Sequence, residues 1–170
     1  KTVTVAKGST GNRSYTANWS ANKYTVSYNG NGGSGSMSQD TATYGESYTA
    51  KANSFSRPGY TFAGWNESAD GKSSDWTSWI GKPWAWTYTR SITLYAQWTK
   101  NTYSISYNLN GGNVSGQKTS YDVTTEAFTL PTPTRNGYTF TGWTGTGLSS
   151  ATKTVTVAKG STGNRSYTAN

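Results

Sequence analysis

Cysteine and histidine are both absent from the 170 residues. Without cysteine there is no disulfide, no thiolate nucleophile and no thiolate metal site. Without histidine the commonest general base is gone as well, so the usual nucleophile–base pairs are excluded. Acids are scarce: Asp40, Glu46, Glu67, Asp70, Asp75, Asp122 and Glu126 are the whole set. Glu67, Asp70 and Asp75 lie close together but lack the alternation of a calcium-binding loop, so they read as solvated loop acids and no metal is expected. No apolar run approaches the length of a membrane-spanning helix, and no signal peptide is present within these residues. The chain begins at Lys1 without a methionine and reads as a piece of a longer protein. Nothing in it calls for a cofactor, and an enzyme is not expected.

What is plentiful points to strands and turns. Aromatic residues make up 15% of the chain, and there are 20 glycines against 4 prolines. Threonine, serine, tyrosine and valine are frequent, a mix that favours β-structure over helix. The formal net charge is +8, but lysine and arginine are scattered singly. That scatter argues against nucleic acid and leaves an acidic polysaccharide or wall polymer as the partner a basic surface would suit.

Repetition organises the chain. Lys1–Asn18, KTVTVAKGSTGNRSYTAN, recurs residue for residue as Lys153–Asn170. Such identity implies a parent protein that repeats a unit as long as the distance between the two copies. A looser repeat lies inside it: YTVSYNGNGG from Tyr24 matches YSISYNLNGG from Tyr103, and GYTFAGW from Gly59 matches GYTFTGW from Gly137. The expected division is 1–23 as the closing strands of a preceding repeat, 24–100 as a complete module, and 101–170 as a second module cut one step before its last tryptophan.

Each module opens with a strand in which Tyr24, Val26 and Tyr28, or Tyr103, Ile105 and Tyr107, share a face. Asn-Gly and Gly-Gly then mark a turn. In GYTFxGW, Tyr60 and Phe62 point one way and Trp65 falls out of phase by one residue. Gly64 accounts for this as the site of a β-bulge. The closing strand alternates Ile92, Leu94, Ala96 and Trp98, and the same alternation in RSYTANW predicts a strand through Tyr15, Ala17 and Trp19.

These three blocks in this order, YxVxYNxNGG, GYTFxGW and TLYAQW, resemble the Listeria–Bacteroides repeat, the B repeat of internalin-type surface proteins. The resemblance covers both modules almost end to end. It implies tandem, compact, β-grasp-like modules of mainly β-structure with mixed or antiparallel sheets and little helix. It further implies an extracellular place on a bacterial surface, neighbouring repeats as partners, and no catalytic residues.

One stretch departs from that pattern. Asp75–Tyr88, DWTSWIGKPWAWTY, looks like an addition to the first module and holds Trp76, Trp79, Lys82, Trp84, Trp86 and Tyr88. Two readings apply. The rings could form a second aromatic core on the module's flank, since tryptophan usually buries most of its area. Alternatively they form an exposed platform that stacks on sugar, with Lys82 meeting an acidic substituent. The function expected is a spacer in an adhesin stalk; the alternative is a glycan-binding or wall-polymer-binding module that uses these six residues. The duplicated ends carry one more expectation: segment 1–19 of one molecule could replace 153–170 of another.

Overall fold

The computed structural model describes residues 2–170. Regular structure begins at β1 (Lys23–Asn29), followed by β2 (Asp40–Thr43), β3 (Ser47–Thr49) and β4 (Tyr60–Asn66). A single 3-10 turn, Thr77–Trp79, precedes β5 (Pro83–Ala85) and β6 (Ile92–Lys100). The second half holds β7 (Tyr103–Asn108), β8 (Ser120–Tyr121), β9 (Phe128–Thr129), β10 (Trp143–Gly145), β11 (Thr156–Val157) and β12 (Arg165–Ala169). The architecture is nearly all β.

The two halves repeat one mixed topology. The first main sheet runs β2-β1-β6-β4, the second β8-β7-β12-β10. In each, the opening and closing strands are parallel neighbours: β1 with β6, and β7 with β12. The outer pairs are antiparallel. Each half encloses its own core. Val26, Trp65, Leu94 and Ala96 centre the first, and Ile105, Trp143, Val157 and Tyr167 the second.

The Asn-Gly motifs owe their place to this parallel closure. Asn31 and Asn110 hold positive φ, at 47° and 48°, a conformation asparagine tolerates better than other non-glycine residues. Their side chains then reach the closing strand. Asn31 Nδ2 donates to the Ala96 carbonyl at 2.9 Å, and Asn110 Nδ2 to that of Ala169 at 2.8 Å. Each turn thus ties the opening strand to the last.

The bulge lies where the sequence places it. Pairing of β4 with β6 shifts register between Phe62 and Gly64. Gly64 sits at φ 148°, and Trp65 beyond it is fully buried. In the second half Gly142 repeats the conformation at φ 145° before Trp143, also fully buried.

Three expectations need correction. Residues 2–22 carry no strand, and Val3, Val5, Tyr15 and Trp19 are exposed. Alternation alone does not make a strand when no sheet offers these residues a hydrogen-bonding edge. Tyr138–Thr141 is not a strand, unlike its counterpart in β4, because β12 stops at Ala169. Finally, only part of the tryptophan-rich stretch is an addition: the run from Trp65 to Ala96 is five residues longer than that from Trp143 to Ala169, but the strand within the stretch has a counterpart in the second module. That strand, β5, pairs with β3, with Tyr48 opposite Trp84, as β11 pairs with β9, with Phe128 opposite Val157. Trp84 and Val157 fill the same place with side chains of very different size.

The modules meet at a short joint. β6 and β7 are separated by Asn101 and Thr102. The Asn101 amide donates to the Gly59 carbonyl at 2.9 Å, and Lys100 Nζ lies 2.9 Å from Asp122 Oδ2. Gly59, at φ 79°, faces Val123 so closely that a Cβ there would stand 2.0 Å from a valine methyl.

Candidate functional site

The six residues singled out in 75–88 separate by burial. Trp76 and Trp86 are buried within the first core, Trp84 and Tyr88 are half-buried, and Trp79 and Lys82 are exposed. The 3-10 turn produces the split between Trp76 and Trp79. One turn of it swings the Trp79 ring outward, while the Trp76 amide pairs with the Trp65 carbonyl and holds the start of the turn against β4.

Around Trp76 the rings pack in edge-to-face and tilted pairs, avoiding the face-to-face stack that aromatic quadrupoles disfavour. Trp76 meets Trp84 with centroids 5.0 Å apart and planes at 68°, and Tyr48 meets Trp84 and Trp86 at 5.3 Å each. Tyr88 closes the group at 5.4 Å from Trp76 and 5.3 Å from Trp86. Trp79 touches it only through Trp84, at 5.4 Å, leaving 45% of its surface exposed.

Beside that ring lies a cleft of about 190 Å³, bordered by Asp75, Trp76, Trp79, Trp84 and Tyr88. Lys82 does not line it; its backbone amide closes the turn onto the Trp79 carbonyl at 3.1 Å. The charged group at the cleft is Asp75, beside the hydroxyl residues Ser74 and Thr87. The Thr77 hydroxyl and amide hydrogen-bond its carboxylate and hold its pKa below the ordinary value.

The acids of this loop serve separate purposes. Glu67 accepts from Trp76 Nε1 at 3.1 Å and pairs with Arg90, which also approaches the Tyr88 ring. Asp70 accepts from the Ser68 hydroxyl at 2.7 Å, and that bond lowers its pKa. Among the described residues no group of three acids converges on a metal-sized site.

A second polar cluster escaped the sequence reading. Tyr28 and Tyr48 both donate to Asp40 Oδ2 at 3.1 Å, and Lys51 Nζ lies 2.6 Å from Asp40 Oδ1. The Lys51 amide donates to the Tyr28 hydroxyl at 3.0 Å. Burial pushes both tyrosine hydroxyls up, so they remain protonated donors. The cluster fastens β2 and β3 to β1. It spans residues far apart in sequence, so no local signal could have disclosed it.

Comparison with known proteins gives a consistent result. The Listeria-Bacteroides repeat domain matches residues 24–97 and again 103–168. A protein of Evansella cellulosilytica named as a Gly-rich membrane protein is 35% identical over 136 residues, covering 75% of this chain and 15% of its own length. A second membrane protein of that organism is 34% identical over the same span, which is 18% of its length. Internalin H of Listeria monocytogenes is 35% identical over 91 residues, or 51% of this chain and 14% of that protein. The chain therefore spans less than a fifth of the length of each of these three relatives.

Proposed function

This chain belongs to the Listeria-Bacteroides repeat family, and from that membership we propose that it is a non-catalytic spacer in the stalk of a bacterial surface protein. The observation that carries the reading is the parallel closure of each sheet. Because β1 and β6 run side by side in one direction, the chain enters a module at one end and leaves at the other. β7 and β12 do the same. Modules of this kind lengthen a protein by simple addition, each burying its own core. Internalin H is named among the relatives, and two others are named as membrane proteins, which suits an extracellular place at the cell envelope. Among the described residues no helix is long and apolar enough to cross a membrane; strand-built spans are a separate matter.

Solution scattering tests the spacer. An end-to-end pair of modules gives a maximum dimension close to twice that of one module, and a folded-back compact particle would contradict it. One observation favours a second reading. The half-exposed Trp79 beside its cleft offers an indole face to a sugar, with Asp75 as a hydrogen-bond acceptor. Tryptophan fluorescence against neutral and acidic glycans separates the two. A spacer gives no shift, whereas a stacking site gives one that Trp79→Ala abolishes.

A further inference from the structure

Trp79 belongs to a part of the first module that the second does without. The Trp76 amide donates to the Trp65 carbonyl as the Thr152 amide does to that of Trp143. Trp84 opposite Tyr48 corresponds to Val157 opposite Phe128. Three more residues separate Trp76 from Trp84 than Thr152 from Val157, and the 3-10 turn carrying Trp79 lies in that length. The second module builds the same kind of sheet and its own core with threonine and valine in place of the two tryptophans. The fold therefore does not require these rings. A tryptophan left 45% exposed at the edge of a cleft points to a ligand.

The cleft is small and its walls are inclined. Its volume, about 190 Å³, falls below the roughly 300–1,000 Å³ of sites for drug-sized ligands, so it suits a single chemical group. Trp84 meets Trp76 with planes at 68° and Trp79 with planes at 47°. The three indoles thus offer no common plane. A flat sugar ring lies against one of them only, whereas a rounded group touches several at once. Trp76 is fixed in advance, since its Nε1 donates to Glu67 at 3.1 Å and its amide is tied to β4.

Charge narrows the choice. The chain carries +8, yet no lysine or arginine borders this cleft. Arg90, which approaches the Tyr88 ring at 5.4 Å, is paired with Glu67. Asp75 does border the cleft. Among the described residues it has no ion pair, although five of the other six acids do. The Thr77 amide and hydroxyl both donate to Oδ1, which keeps the carboxylate ionised at neutral pH and leaves Oδ2 free of hydrogen bonds among the described residues. Aromatic faces beside an unpaired carboxylate complement a cation, and indole is the best of the rings for it. A bare ammonium is strongly hydrated, whereas a fully alkylated one has no N–H to hold water.

We propose that this cleft binds a trimethylammonium group, of the kind choline carries, seated against Trp76, Trp79 and Trp84 with Asp75 as counter-ion. This goes beyond the spacer and names a different ligand for the cleft where a sugar was considered, so the two readings of the cleft fail separately. The second module, with Thr152 and Val157 at the corresponding places, has no such seat.

Tryptophan fluorescence of the full chain tests this by titration with choline chloride, against sodium chloride at equal ionic strength. Choline gives a saturable single-site change. The neutral alcohol in which tert-butyl replaces trimethylammonium binds at least about tenfold more weakly. Trp79→Leu, which keeps an apolar side chain without a π face, and Asp75→Asn each weaken choline binding at least about tenfold. Both positions are exposed, and either variant decides the matter if thermal melts show the other to be misfolded. Phosphatidylcholine vesicles present the same group on a lipid. Cosedimentation that Trp79→Leu abolishes identifies a membrane source, and choline saturation without cosedimentation a soluble one; both uphold the proposal. Absence of saturation by choline overturns it, as does equal binding of the neutral alcohol or binding that survives in a folded variant at full strength. Saturation by a neutral glycan with none by choline overturns it too and leaves the sugar reading standing.

Discussion

Trp65 and Trp143 hold the same place in two sheets, yet only one satisfies its ring nitrogen. Trp65 Nε1 donates to the Lys51 carbonyl at 2.9 Å, while Trp143 Nε1 is buried with no partner among the described residues. Replacing either with alanine should cost about 3–5 kcal/mol in urea melts, the range for a buried large aromatic. Phenylalanine should divide them. Trp65→Phe strands a carbonyl, whereas Trp143→Phe removes an unpaired donor, so the second change should be milder by about 1–3 kcal/mol. Equal costs would mean that Trp143 has a partner in solution. In the tryptophan-rich stretch, Trp76→Ala should cost about 3–5 kcal/mol and Trp79→Ala well under half of that, in keeping with their burial. Which of these rings would be inside was not legible beforehand. The phase between Trp76 and Trp79 is set by a three-residue 3-10 turn, and neither strand nor helix periodicity describes so short a piece.

Among the elements, the bulge was the most legible, since a glycine one residue before an out-of-phase tryptophan leaves few alternatives. Its glycines are closely confined. A Cβ on Gly64 would lie 1.8 Å from Thr77 Oγ1, and one on Gly142 would lie 2.6 Å from the Thr152 nitrogen. Gly64→Ala and Gly142→Ala should each cost more than about 1 kcal/mol in thermal melts, through the positive φ and the contact together. A negligible loss at both would show that the bulge relaxes to a regular ladder. The opening and closing strands were legible because apolar alternation marks them. The pairing of β3 with β5 was not, because Trp84 and Val157 do not resemble each other although they stand in the same register. The opposite failure occurred at the amino-terminal end. RSYTANW alternates as well there as at the other end, and only the neighbouring strands decide which copy pairs.

For the whole molecule, two separate cores predict that residues 24–100 expressed alone melt in one cooperative step. A disordered fragment would show that the modules depend on each other. The joint has an internal control. Gly59 and Gly137 share a motif and nearly the same φ, 79° and 76°, but only Gly59 faces a neighbour. Gly59→Ala should therefore disturb the amide resonances of Asp122–Thr124, and Gly137→Ala should leave them in place. Asp122 reports on the same joint. The Thr124 hydroxyl, then the Lys100 ammonium, holds its pKa well below the ordinary carboxylate value. A depressed folded pKa contributes stability above the ordinary value and loses it as pH falls through the depressed one. The joint should thus persist through mild acid and loosen only in strong acid. A directly titrated Asp122 with an ordinary aspartate pKa would refute this.

The side-by-side, same-direction arrangement of first and last strands also decides how such a module answers a pull. Tension applied through the two ends of a module acts on β1 at its start and on β6 at its finish, at opposite ends of one ladder. The hydrogen bonds from Val26–Ile92 to Asn29–Tyr95 are then loaded in shear and must yield together, rather than unzip one after another. A string of such modules under load would part at its weakest ladder, and its resistance would be a matter of rupture rate, not of melting temperature.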